Sequence, residues 1–161
     1  MTVDAVVFDI GNVLIEWQPE RYYDRMIGNA KRREMFAAVD LHGMMDQIDA
    51  GAPFRETILN TAQANPDWHP EITEWADKWT ELARPAIDHT VRLLRALRKR
   101  GVPVFALSNF GAQNFPLSEA QFPFLGEFDK RYISGDLRMI KPDPDIYAYV
   151  EQDCGVAPQQ L

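Results

Sequence analysis

Two short apolar runs, VDAVVF at residues 3–8 and VPVFAL at 102–107, lie more than 80 residues apart, and no other feature constrains the fold as strongly. Each has the continuous apolar centre, Ala5 to Phe8 in the first, that suits a strand covered on both faces by helices. Joining parallel neighbours takes a crossover of about a dozen to a few dozen residues. The surplus, about residues 17–84, must therefore stand beside the sheet as a helical insert. The chain is expected to divide into an α/β core, residues 1–16 with 85–161, and the insert at 17–84.

Residues 19–100 read almost wholly helical, punctuated by turn signals at Gly28-Asn29, His42-Gly43, Ala50 to Pro53, Asn65-Pro66-Asp67 and Arg84-Pro85. In AIDHTVRLLRALRKRG (86–101), Ile87, Val91, Leu94 and Leu97 recur at helical spacing. Arg98 to Arg100 complement the C-terminal dipole there, and Gly101 supplies a left-handed end. A third strand is expected at Arg131–Ser134, followed by Gly135 and a loop to Lys141. Beyond it Asp143 and Pro144 stand where an N-cap and first helical residue belong, and Ile146–Asp153 continues as a helix closed by Gly155.

Of the 161 residues, 46% are apolar, enough for one buried core and a small appended unit. Seventeen Lys and Arg against 24 Asp and Glu give a formal charge of −7, a field that repels polyanions, so nucleic acid is not an expected partner. Cys154 has no second cysteine to pair with. No apolar stretch reaches the roughly 18 residues of a membrane span. Asp4 and Asp9 interrupt the N-terminal apolar run before it is long enough for a secretory signal. These features predict a soluble protein of a reducing compartment, the cytoplasm, without membrane partners.

Polar residues follow the C-terminal ends of all three strand regions: Asp9, then Ser108 and Asn109, then Lys141 after the loop beyond strand three. In open parallel sheets that edge is where ligands bind. Singly, each has an ordinary reading, as a turn acid, a helix cap and a solvated lysine before proline. Their order and their shared edge point to a site.

The stretches FDIGNVL (8–14), ALSNF (106–110) and KPDPDIY (141–147), in that order and with a helical insert after the first, resemble motifs one, two and three of the haloacid dehalogenase superfamily. Gly-Asn after the acid is similar to its glucose-1-phosphate phosphatase-like branch. The likeness spans essentially the whole chain. It implies a doubly wound, parallel Rossmann-like α/β sheet, truncated after the third strand and its helix, with an inserted helical cap. It further implies a Mg²⁺-dependent phosphatase acting on a small phosphorylated metabolite, such as a sugar phosphate, through an aspartyl-phosphate intermediate.

The residues suit that chemistry. A phosphate ester repels nucleophiles through its own charge, so attack needs a metal and fixed cations. Asp9 is the expected nucleophile, since a carboxylate needs no deprotonation at neutral pH. Lys141 would place a point charge beside Asp9 and a phosphoryl oxygen, and Ser108 would donate to another such oxygen. Backbone N–H groups around Gly11 and Asn12 are expected to form an anion-binding nest, with Asn109 beside them. Mg²⁺ would sit on an Asp9 oxygen and, as the family implies, on the Gly11 carbonyl.

Two departures stand out. Most phosphatases of this superfamily carry a second aspartate two residues after the first, to protonate the leaving oxygen, and here that place is Gly11. A general acid contributes about a hundred- to ten-thousandfold, so its loss favours esters with acidic leaving groups, such as sugar 1-phosphates. The family's fourth motif, an acidic pair, is expected soon after VAPQQ (156–160), where the sequence stops. Asp143 and Asp145 are expected to be first-turn helix acids rather than substitutes. On this reading the chain is a fragment or a trimmed product, binds Mg²⁺ weakly and can self-associate through an exposed sheet edge. Two alternatives stand beside the phosphatase. One is a 2-haloacid dehalogenase using the same Asp9 without metal, with Arg21 or Arg25 for halide; the other is an idle domain used for association.

The remaining conspicuous residues have structural readings. Trp75 and Trp79 are expected on one helix face in the core of the insert, and Trp17 at a hinge near the ligand. His42, His69 and His89 lack metal-ligand spacing. The basic runs 31–33 and 98–100 are solvated helix ends, Asp46 and Asp49 close an exposed helix, and Tyr147 packs its helix onto the sheet.

Overall fold

A computed structural model describes residues 3–161. Its centre is β4 (Val104–Ser108), all five residues of which are buried. Parallel to it on either side run β1 (Val6–Phe8) and β5 (Lys130–Ile133), giving the order β1-β4-β5. The register pairs Val6 with Val104 and Phe8 with Ala106 on one side, and Phe105 with Lys130 and Ser108 with Ile133 on the other.

Side chains alternate across β4, as the pleat requires. Phe105 and Leu107 pack with Ile146 and Val150 of one cluster, while Val104 and Ala106 join a larger one that includes Leu94. Ile146 and Val150 lie on α10 (Pro144–Cys154), Leu94 on α7 (Asp88–Lys99). Helices thus cover both faces, which is why the central strand reads as an unbroken apolar run. This is a Rossmann-like α/β sheet of three parallel strands.

Both flanking helices follow their sequence signals. Val91 and Leu94 are buried in α7, and Gly101 after it has φ +77. In α10, Asp143 caps the Asp145 amide at 3.0 Å and Gly155 ends the helix in the left-handed region, as expected. Tyr147 does not pack onto the sheet; it is 41% exposed. Ile146 and Val150, four apart, take that face, and Tyr147 lies one residue around the helix from it.

Residues 19–82 form six helices: α1 (Pro19–Met26), α2 (Asn29–Ala38), α3 (Leu41–Asp49), α4 (Phe54–Ala64), α5 (His69–Asp77) and α6 (Trp79–Leu82). The sequence reading of 19–100 as almost wholly helical misses a short antiparallel ladder. β2 (Ile15–Trp17) pairs with β3 (Ala83–Ala86) at the entrance and exit of this helical segment, with an irregularity between Ile15 and Trp17. Trp75 and Trp79 are both buried, but on two helices, because the chain breaks at Lys78 between α5 and α6.

Two further helices complete the chain, α8 (Phe115–Gln121) and α9 (Ser134–Leu137). The latter occupies the start of the expected loop, and the third strand ends at Ile133. On the outer side of β1, the Asp4 amide donates to the Gln160 carbonyl at 2.9 Å. No helix among the described residues is long and apolar enough to cross a membrane.

Candidate active site

Asp9 follows β1 and Ser108 ends β4, so two parallel strands deliver their next polar groups to the same edge. Lys141, from the loop before α10, reaches that edge too, and its Nζ lies 2.7 Å from Asp9 Oδ2. The ammonium also donates to the Leu107 carbonyl at 3.2 Å. Its backbone is held by Asn109, whose Oδ1 accepts from Lys141 N at 2.7 Å and whose Nδ2 donates to Lys141 O at 2.9 Å. A carboxamide can bond a peptide in both directions, and here it fixes the loop that carries the lysine. The other Asp9 oxygen accepts the Ile10 amide at 2.7 Å.

The turn after Asp9 explains the Gly-Asn pair. Asn12 has φ +56, a conformation asparagine tolerates better than most side chains. Its amide donates to Ile15 O at 2.7 Å and its Oδ1 accepts from Trp17 N at 2.9 Å. This corrects the expected anion nest: the Asn12 N–H is spent inside the turn and is not free for a ligand. Gly11 is different, because nothing lies within 4 Å of where a Cβ would stand.

Asp9, Gly11, Asn12, Ser108, Asn109 and Lys141 all line one cavity of about 380 Å³, in the range of roughly 300–1,000 Å³ typical of small-molecule sites. The helical segment and the ladder line it as well: Glu16 and Trp17 of β2, His42, Met45, Asp46 and Asp49 of α3, and Trp79 of α6. Trp17 packs against Trp79, ring centroids 5.1 Å apart. His69 and His89 are exposed elsewhere.

Asp49 is the residue that the sequence reading misplaced. It does not sit on an exposed helix end: it lines the cavity, and its Oδ1 is closed off from solvent without a hydrogen-bond partner. Burial, with Asp46 nearby, pushes its carboxyl up to about 7, against a smaller opposing effect of His42. The signal available was its position four residues after Met45 and next to buried Ile48, at the margin of the apolar stripe of α3.

A family model described as haloacid dehalogenase-like hydrolase matches residues 3–161. The chain belongs to this family. A search of curated proteins finds no match. Among solved structures, this haloacid dehalogenase-like hydrolase is similar to a HAD family enzyme from Bacteroides thetaiotaomicron, with a TM-score of 0.74 and 24% identity over 99% of this chain and 82% of that one. The same enzyme in complex with magnesium and inorganic phosphate gives 0.72 and 24%, over 98% and 82%. L-2-haloacid dehalogenase from Xanthobacter autotrophicus, with chloropropionic acid covalently bound, gives 0.68 and 21%, over 99% and 68%. At these identities the likeness is one of fold.

Proposed function

We propose that this hydrolase is a phosphatase of a small phosphorylated metabolite, a sugar phosphate being of suitable size, with Asp9 as nucleophile. The observation that carries this reading is the Asp9–Lys141 pair, 2.7 Å apart, the acid just after β1 and the lysine from the loop before α10, in a cavity that Ser108 also lines. A carboxylate held on a rigid strand end attacks phosphorus in line and forms an aspartyl-phosphate, which water then cleaves. Lys141 offsets the charge of a phosphoryl oxygen and Ser108 donates to another.

Mg²⁺ suits the donor set as a weakly held ion. Among the described residues no group of three or more His, Cys, Asp or Glu could hold a metal; Asp9 and the Gly11 carbonyl would hold it, water and phosphate oxygens filling the other positions. The electrostatics favour a dication, because Asp9, Glu16 and Asp46 face the cavity against one lysine. When bound, the ion neutralises phosphate charge during attack.

Dehalogenation is the second reading, favoured by the bound ligand of the Xanthobacter enzyme. The arginines first considered for halide do not serve it here. Arg21 bonds Glu16 at 2.6 Å, Arg25 lies over the Tyr22 ring, and neither lines the cavity. A phosphate-release panel with Mg²⁺ separates the two. Turnover lost by at least about a thousandfold in Asp9→Asn, and abolished by EDTA, is the expected result; metal-independent halide release from 2-haloacids would overturn it.

A further inference from the structure

Asp49 has no part in the chemistry above, yet it is the most unusual ionisable group near it. We propose, resting on the phosphatase reading, that Asp49 is the proton donor to the leaving oxygen, supplied from the helical segment in place of the acid missing at position 11. It lines the cavity that holds Asp9, Ser108 and Lys141. One carboxyl oxygen is shut off from water with no donor near it, so the ionised form is costly there and the neutral, proton-carrying form is preferred. Asp49 is also the last residue of α3, where the partial negative charge of the helix end opposes a carboxylate.

Its backbone is fixed from the sheet side. Ser134, fully buried at the start of α9, donates through Oγ to the Asp49 carbonyl at 2.6 Å. The charged and titratable groups around it are Asp46 and His42 on its own helix, Asp9, Glu16 and Lys141 across the cavity, and Arg138, whose side chain lies against Gly51. None makes an ion pair with Asp49 within 4.0 Å. Gly11 lines the same cavity, and nothing lies within 4 Å of where its Cβ would stand.

The steps balance. Asp9 Oδ forms a bond to phosphorus as the ester P–O bond breaks, and the Asp49 proton passes to the departing oxygen, releasing an alcohol. Water then attacks the aspartyl-phosphate, losing a proton to solvent as the new P–O bond forms and the Asp9–phosphorus bond breaks, and Asp49, left as a carboxylate by the first step, takes a proton back from solvent. Inorganic phosphate leaves, and both carboxyl groups return to their starting states. The limitation to acidic leaving groups that Gly11 alone would impose is thereby lifted.

The test compares two esters on the full chain with Mg²⁺: p-nitrophenyl phosphate, whose leaving group needs no proton, and glycerol phosphate, whose leaving group does. Asp49→Asn, nearly isosteric, is expected to lower kcat on glycerol phosphate about a hundredfold or more and to change p-nitrophenyl phosphate turnover by less than about threefold. Wild-type kcat on glycerol phosphate should fall above pH about 7, a limb absent from p-nitrophenyl phosphate. Adding Gly11→Asp to Asp49→Asn should restore glycerol phosphate turnover. Equal losses on both esters, or no loss on either, would overturn the assignment of Asp49 while leaving Asp9 in place. Full activity of Asp9→Asn would overturn the phosphatase reading itself, and this inference with it.

Discussion

Lys141 and Asp49 face one cavity in opposite states of satisfaction. Lys141 has Asp9, the Leu107 carbonyl and the Asn109 clamp, whereas the buried Oδ1 of Asp49 has no partner. Such a carboxyl lowers stability in a pH-dependent way. Its folded value, about 7, lies above the ordinary 3.8, so between those limits the folded state binds a proton that the unfolded state has lost. Stability is then full below about 4, declines as pH rises through the window, and is lowest above about 7. Asn carries no such charge. Asp49→Asn is therefore expected to unfold near the wild-type temperature at pH 4, and at pH 8 to be more stable by roughly 2–4 kcal/mol, read from thermal melts at the two values. An unchanged difference between pH 4 and 8 would contradict the buried, neutral carboxyl. Asp9, Ser108 and Asn109 were legible in the sequence because strand ends announce themselves, and Lys141 because it opens KPDPDIY after the loop beyond the third strand. Asp49 was not, since an acid one position from a buried isoleucine reads equally as surface until a facing wall is known.

The C-terminal end of α3 is tied to the sheet by a single hydroxyl. Ser134 Oγ accepts the Phe110 amide at 2.9 Å and donates to Asp49 O, joining the start of α9, the segment after β4 and α3, which lines the cavity. Ser134→Ala leaves a buried N–H and a carbonyl without this partner, which costs about 1–3 kcal/mol. Hydrogen exchange should show faster exchange in the last turn of α3 than in α7, and Ser134→Thr should recover part of the protection. Element by element, legibility followed length. Apolar spacing announced α7 over 12 residues, and the Asp143-Pro144 start and Gly155 stop announced α10 over 11. The ladder between β2 and β3 is three residues against four, includes Pro85, and pairs positions some 70 residues apart; neither strand is long enough to show a period, and a distant partner leaves no local trace. Four-residue α9 is missed for the same reason.

At the scale of the whole molecule, the question is whether the sheet and the helical segment behave as one cooperative body. The separation of the two apolar runs led to the expectation of a sheet with an inserted helical segment, but nothing in it said how tightly the two are joined. The join is aromatic: Trp79 contacts Trp17, Phe54 and Phe110 at centroid distances of 5.1–5.6 Å. Its Nε1 donates to buried Ser118 Oγ at 2.9 Å. Phe110 and Ser118 lie beyond β4, whereas Trp17 and Phe54 lie in the ladder and on α4, so one side chain bridges both parts. The larger buried cluster likewise runs from Ile58 and Ile72 through Trp79 to Val104 without a break. Contiguous burial of this kind predicts a single unfolding transition. All four tryptophans lie between residues 17 and 79, so indole fluorescence follows the helical segment, while amide exchange at Phe105 to Leu107 follows the sheet. In urea the two should report the same midpoint. Trp79→Ala removes the bridge at a cost of about 3–5 kcal/mol, and should split that midpoint, the helical segment melting first. Two transitions already present in the wild type would show that the aromatic contacts join the parts without coupling their stability.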